Sequence, residues 1–180
     1  LLQASLGTLY AALAYNLAQI TPGELCRSFF GNSGAEAVEG ALKLARASTK
    51  KTKIIHCEGS FHGKTLGALS VTGKSKYQDP FKPLVPGCEA VPFGDLNALE
   101  EKLRNRDVAA FIIEPIQGEG GVHIPEPGYL EGVRELCTRY EALLIFDEIQ
   151  TGFAQARPLP VSGIQLCRIS CAWGNRWVGE

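Results

Sequence analysis

Short apolar runs alternate with amphipathic helical stretches along the middle of the chain. Residues 34–48 and 129–140 carry apolar side chains at helical spacing, and Asp95 opens a third helical pattern. Strands that alternate with helices are typical of a mostly parallel sheet covered by helices on both faces. The chain is therefore predicted to be α/β. Its predicted strands here are 53–57, 88–92, 108–114 and, last along the chain, 143–147.

Weaker patterns lie before this region and within it. Leucines recur every three or four residues over 2–20, which predicts an amphipathic helix that ends at Thr21-Pro22-Gly23. Residues 25–30 are predicted to form a strand, and a short helix is expected near 64–71.

Composition excludes several functional classes. The net charge of -1 over 180 residues leaves no basic surface for nucleic acid. Residues 1–20 are interrupted by polar side chains and lack a basic leader, so neither a signal peptide nor a membrane span is expected. The six cysteines form no C-x-x-C pair, which favours reduced thiols in a cytoplasmic protein. His56 and Cys57 would face opposite sides of a strand, so no metal site is expected.

Polar residues follow the predicted strands at their carboxyl ends, where ligands collect in such sheets. In "FGNSGAE" (30–36), small residues lead into a helix whose free N–H groups could bind an anion, although a well-capped helix would look the same. Phe61 lies between glycines and could stack on a flat ring or close the edge of the core. Asp147 ends an apolar strand and needs a cationic partner, from a ligand or from a structural ion pair.

An anion cradle, a stacking aromatic and a carboxylate for a ring cation together match pyridoxal 5′-phosphate. Four stretches occur in the order and spacing of one family: "NSGAEAVEGALKLAR", "FHGKTLGALSVTGKSKY", "EPIQGEGGVHIPEPGYL" and "LLIFDEIQTGF". Residues 1–153 thus resemble the class III pyridoxal-phosphate aminotransferases. The resemblance implies a fold-type I transferase large domain, incomplete at both ends.

The resemblance also implies residue roles. Phe61 would stack on the cofactor ring with His62 beside it, and Asp147 would pair with the ring nitrogen. Glu114 would support the site from behind. On the substrate side, Glu119 resembles the acid that in some members pairs with an arginine of the C-terminal small domain. The remaining implied contacts are the phosphate, through Ser33, Gly34 and Ala35, and the ring hydroxyl, through Gln150.

The same family takes an amine donor and a 2-oxo acid acceptor, and its members are homodimers or larger. Lys64 stands where members that use α-carboxylated amino acids often have arginine, and lysine lacks the bidentate fork of arginine. With "GALS", "FKPLVPG" and "VPFG", it makes the chain resemble the putrescine branch among the ornithine, acetylornithine and 4-aminobutyrate aminotransferases.

The family pattern stops after Phe153. Both tryptophans lie in residues 154–180, whereas every acidic residue except Glu180 lies before them. When residues 167–180 are back-translated and shifted by two bases, suitable codons read Pro-Asp-Ile-Leu-Cys-Leu-Gly-Lys-Pro-Leu-Gly-Gly-Gly. That sequence resembles the family's segment with the Schiff-base lysine. The tail 154–180 is therefore expected to be frame-shifted or disordered.

Because Lys43 and Lys64 lie in other motifs, neither can replace that lysine, and the chain as written is expected to be inactive. Three alternatives remain open: a pyridoxal-phosphate aminomutase, a non-catalytic fragment that binds cofactor or a partner subunit, and a sugar-phosphate or nucleotide binder.

Overall fold

The computed structural model describes residues 7–21 and 25–152, and the backbone of residues 166–169. Helices and strands alternate along it, as expected from the sequence. The elements are α1 (Thr8–Ile20), α2 (Gly34–Thr49), β1 (Lys53–Cys57), α3 (Leu66–Ser70), α4 (Ser75–Gln78), a 3₁₀ turn (Asp79–Phe81), β2 (Cys88–Val91), α5 (Leu96–Leu103), β3 (Val108–Ile113), α6 (Tyr129–Arg139), β4 (Leu143–Asp147) and β5 (Leu166–Ile169).

The strands form one parallel sheet in the order β2-β1-β3-β4-β5. All six residues of β3 are buried because this central strand is covered on both faces. The parallel α/β architecture predicted from the sequence is thereby confirmed. Parallel pairing also brings the carboxyl ends of the strands to the same edge of the sheet.

Two buried clusters cover the two faces of the sheet. On the α5–α6 face, Phe111 and Phe146 pack against helix residues that include Leu99 and Val133. On the α2 face, alternate strand residues meet a helical stripe at i, i+3, i+4 and i+7. That stripe is formed by Val38, Ala41, Leu42 and Ala45.

Two of the sequence predictions about strands are wrong. Residues 25–30 form no strand, because no neighbouring strand in the described part of the chain offers them a ladder, and Phe29 is 75% exposed. The last strand is β5 rather than β4. It pairs with β4 from Leu144↔Leu166 to Asp147↔Ile169, where the free backbone edge of β4 can accept a neighbour.

Within the tail 154–180, the backbone of Leu166–Ile169 is in a strand, β5. The other residues of 154–180 lie outside the described residues, and so does the proposed change of frame. At the other end, α1 (Thr8–Ile20) lies within the helix predicted over 2–20, of which residues 2–6 lie outside the described residues, and none of the residues of α1 is buried. Its contact with the rest of the structure includes the ring of Tyr10, 5.3 Å from that of Phe30.

None of the helices in the described ranges is long and apolar enough to cross a membrane. Within the same ranges, no group of three or more His, Cys, Asp or Glu side chains is placed to hold a metal ion.

Candidate active site

A cleft of about 120 Å³ opens at the carboxyl edge of the sheet, between the start of α2 and the segments that follow β1, β3 and β4. Most of the residues predicted for the site line this cleft. They are Gly34, Ala35, Phe61, His62, Glu114, Asp147 and Gln150. Lys64 and Glu119 are exposed and are not among its lining residues.

Ser33 lies at the N-cap of α2, where its hydroxyl accepts a hydrogen bond from the Glu36 N–H at 3.3 Å. The first intrahelical bond of α2 runs from Ala37 N to Ser33 O. The N–H groups of Gly34 and Ala35 precede that bond and have no acceptor within the helix. The positive end of the helix dipole thus faces the cleft and favours an anion there.

The segment that follows β1 packs directly on this first turn. A side-chain carbon at Gly63 would lie 2.9 Å from Ala35 Cβ, and Gly63 has a φ of +131°. Both observations favour glycine, because only glycine permits this approach and conformation. Phe61 is half-buried, and its ring makes a T-shaped contact with Tyr77 at 6.0 Å between centroids. The aromatic ring therefore lies beside the helix terminus, in the same cleft.

Asp147 and His62 form a buried pair. Nδ1 of His62 is 2.7 Å from Oδ2 of Asp147, and their side chains are 0% and 4% exposed. Oδ1 of Asp147 accepts the Ile149 N–H at 3.1 Å. The sequence predicted a cationic partner for Asp147 but placed His62 only beside Phe61. In the structure, His62 is the side chain that meets the carboxylate.

The pairing leaves hydrogen-bonding capacity on both residues. A carboxylate can accept about four hydrogen bonds, so Asp147 keeps room for a further donor from the cleft. Nδ1 of His62 must carry the proton to donate to Asp147. Its Nε2 is buried, and no partner for it lies within the described part of the chain.

Glu114 ties two of the segments together. Its carboxylate accepts the N–H of Phe61 at 2.9 Å and the N–H of Gly118 at 3.2 Å. Burial raises the pKa of Glu114, and these two backbone donors act in the opposite direction. This buried carboxylate fixes the backbone beneath the Phe61 ring.

Several contributing residues were missed by the sequence analysis, since they act through tertiary contacts. Ile149 and Thr151 line the cleft, and the Ile149 side chain occupies the space that a Cβ at Gly34 would need, 2.5 Å away. Tyr77 supports the Phe61 ring, and Thr72 accepts the His62 N–H at 3.1 Å. The signal that could have found them is their position in two of the family-like stretches: Thr72 and Tyr77 lie in "FHGKTLGALSVTGKSKY", and Ile149 and Thr151 lie in "LLIFDEIQTGF".

Residues 3–157 match the sequence profile of the family described as aminotransferase class-III. The chain belongs to this family. A curated relative, aminotransferase PigE of Serratia sp. (strain ATCC 39006), is 52% identical over 149 residues, which cover 83% of this chain and 18% of PigE. The chain therefore spans less than a fifth of the length of that relative.

Solved structures agree with the family assignment. Ornithine aminotransferase from Toxoplasma gondii, described with partial occupancy of PLP, superposes with a TM-score of 0.79 at 39% identity over 84% of this chain and 37% of that one. An (S)-enantioselective omega-transaminase from Thermomicrobium roseum gives 0.77 at 35% identity, over 82% and 39% of the two chains. A PLP-bound amine transaminase from an uncultivated Pseudomonas species gives 0.71 at 29% identity, over 84% and 40%. The predicted fold-type I class and family are confirmed, and these relatives indicate pyridoxal phosphate as the cofactor.

Proposed function

We propose that this chain forms the pyridoxal-phosphate-binding part of an aminotransferase that transfers an amino group from an amine or amino-acid donor to a 2-oxo acid. The observation that carries the proposal is one cleft that joins the free end of α2, the Phe61 ring and the buried carboxylate of Asp147. Residues 1–153 would be the part of the large domain that this chain contributes. The activity of the whole enzyme belongs to the proposal because the chain covers only part of its relatives.

The phosphate would lie at the first turn of α2. The N–H groups of Gly34 and Ala35 would donate to its oxygens, and Ser33 would complete this phosphate cradle (Ser33, Gly34 and Ala35). The small side chains leave room for close approach, and the helix dipole favours the negative charge.

The ring would lie against Phe61, with its nitrogen toward Asp147 and its hydroxyl toward Gln150. Bound pyridoxal phosphate supplies an aromatic ring that withdraws electrons from the substrate carbon. Asp147 would hold a proton on the ring nitrogen and so strengthen that withdrawal. His62 would donate through Nδ1 to Asp147 and keep the carboxylate correctly oriented.

For the donor, we propose an ω-amine such as putrescine or ornithine. Lys64 supports it as a point charge in place of the arginine of α-carboxylate-binding members, and the solved relatives include an ornithine aminotransferase and an omega-transaminase. Lys64 and Glu119 are exposed beyond the cleft, where a substrate could reach them. A cytoplasmic parent enzyme that is a homodimer or larger is part of the same proposal, and the free thiols of Cys57 and Cys137 agree with a reducing compartment.

The affinity of Asp147→Asn for pyridoxal phosphate tests the proposal. A charge-assisted hydrogen bond contributes about 1.5–3 kcal/mol, so calorimetric titration should show a Kd raised roughly 10- to 150-fold. The control is Asp79→Asn, which removes an exposed carboxylate bound to Lys82 at 2.8 Å and should leave the Kd unchanged. If ribose 5-phosphate bound as tightly as pyridoxal phosphate, the sugar-phosphate alternative would replace the aminotransferase proposal.

The chain as written should bind the cofactor without a covalent bond, because its lysines lie outside the family's lysine motif. Borohydride makes any bond between the cofactor and a lysine permanent. After reduction with pyridoxal phosphate, intact mass spectrometry should find no stoichiometric adduct at a single lysine. A clean adduct at one lysine would show that this lysine bonds the cofactor in place of the lysine of the family's motif. The expectation of inactivity would then be wrong.

A further inference from the structure

Glu39 of α2 binds the beginning of α3. Its Oε1 accepts three hydrogen bonds: from the Thr65 hydroxyl at 2.7 Å, from Gly67 N at 2.9 Å and from Ala68 N at 3.2 Å. The N-cap residue Thr65 makes no capping bond with its own side chain. A side chain from another helix thus satisfies the first-turn donors of α3, a position at which a negative charge is stabilised.

The contact is close and is adjacent to the phosphate cradle. A Cβ at Gly67 would lie 2.7 Å from Cδ of Glu39 and would displace the carboxylate from its present position. Ala35 and Glu39 are four residues apart and therefore share one face of α2. Gly63 packs on Ala35, and Gly67 packs on Glu39. The stretch 63–68 consequently lies along α2 over one full turn.

From α3, a short series of hydrogen bonds leads to the buried pair. The Thr72 hydroxyl donates to Ala68 O at 3.0 Å and accepts the His62 N–H at 3.1 Å. His62 in turn binds Asp147 at 2.7 Å. The helix that carries the cradle is thereby connected, through Glu39 and α3, to His62 and the adjacent Phe61.

We propose that Glu39 is a positioning residue that keeps the ring-contacting part of the site in register with the phosphate cradle; this inference rests on the proposed function. Glu39 does not line the cleft, so its effect must pass through α3. Its loss should therefore weaken binding of the ring and leave binding of the phosphate group intact.

The experiment compares Glu39→Ala and Glu39→Gln with Lys43→Ala, an exposed position one turn further along α2. Two probes are titrated: pyridoxal phosphate, which needs ring and cradle, and inorganic phosphate, which needs the cradle alone. Glu39→Ala should raise the Kd for pyridoxal phosphate about tenfold, the loss expected for removing hydrogen bonds to a charged acceptor. The Kd for phosphate should change less than about twofold, near the limit of a surface substitution. Glu39→Gln keeps an acceptor oxygen and should restore most of the affinity.

Hydrogen exchange supplies a readout that does not involve the cofactor. In Glu39→Ala, the amides of Gly67, Ala68 and His62 should exchange faster, and those of β3 should not. Thr65→Val removes a single donor and is a milder second variant should Glu39→Ala not fold; it should give the same pattern with a smaller, roughly threefold loss, as a hydrogen bond of about 0.5–1.5 kcal/mol implies.

Failure of the proposed function and failure of the positioning inference would give different results. If the unsubstituted chain binds pyridoxal phosphate no more tightly than phosphate, the proposed function is overturned and the positioning inference falls with it. If the unsubstituted chain shows the preference and Glu39→Ala keeps it, only the positioning inference is overturned. Equal loss of both probes in Glu39→Ala, with unchanged exchange at Gly67 and Ala68, would also contradict it.

Discussion

Phe146→Ala should lower the free energy of unfolding by about 3–5 kcal/mol, the range for truncating a fully buried aromatic side chain. Phe146 is 0% exposed in β4, and it packs on the α5–α6 face within the cluster that holds Phe111 and Val133. Alanine would leave a cavity there, since neighbouring strands hold the backbone in place. Urea unfolding followed by circular dichroism measures the loss as a lower midpoint at constant slope.

The matched control is Phe81→Ala, at a phenylalanine that is 59% exposed in the 3₁₀ turn. It should change the free energy of unfolding by less than about 0.5 kcal/mol. Equal effects of the two variants would mean that the sheet core is not the main source of stability. Because Asp147 follows Phe146 directly, Phe146→Ala should also loosen the Asp147–His62 pair and weaken cofactor binding.

The sheet was predictable because its signals are local. The runs at 53–57 and 143–147 became β1 and β4 with those bounds, since each is long enough to be a strand and is followed directly by a glutamate. Asp95 caps α5 through the N–H groups of Asn97 and Ala98, as its position before the helix indicated. Local side-chain chemistry is sufficient for such features.

Features that depend on a distant partner were not predictable. Residues 25–30 have strand-like composition, but composition does not supply a neighbouring strand. The contact between His62 and Asp147 joins residues 85 positions apart. Glu39 looked like one more polar residue of α2, and its role became visible only when α3 was placed against it. The short helix α4 has four residues, too few to show a helical period.

The candidate site was predictable from the sequence only in part. Its residues could be gathered from the sequence because the carboxyl ends of parallel strands meet at one edge. Their mutual contacts could not, since these depend on glycines such as Gly63 that let two segments approach closely. The position of a site follows from topology, whereas its internal geometry follows from packing.

The free energy of unfolding is also expected to depend strongly on pH, because of the buried side chain of His56. This side chain is 4% exposed at the carboxyl half of β1, and its Nδ1 lies 3.3 Å from the carbonyl oxygen of Cys57. Burial lowers the pKa of His56 from 6.5 to about 4, with a smaller opposing effect from that carbonyl and a further lowering by His62. Glu58 and Cys88 line the same cavity of about 460 Å³ beside it.

The direction in which the free energy of unfolding changes with pH follows from proton binding to His56. Between pH 6.5 and about 4, the unfolded chain holds a proton on His56 that the folded chain does not. Stability is therefore fully present above pH 6.5 and is lost as the pH falls through this window. The free energy of unfolding should decrease by about 3 kcal/mol at pH 4 from this residue alone, at about 1.4 kcal/mol for each pH unit. The lowered pKa of Glu89 adds a loss of the same sign, and the raised pKa of Glu114 acts in the opposite direction.

Because several groups titrate together, the effect of His56 is measured as a difference between variants. Glutamine at position 56 does not titrate. Between pH 7 and pH 4, the decrease in the free energy of unfolding should therefore be about 3 kcal/mol smaller in His56→Gln than in the parent chain. His123→Gln is the control, since His123 is exposed and should leave the pH dependence as it was. Urea unfolding at intervals of half a pH unit would resolve the two curves. Parallel curves for His56→Gln and the parent would mean that His56 binds a proton about as readily in the folded chain as in the unfolded chain, through the cavity that it lines. The lowered pKa of His56 would then be wrong.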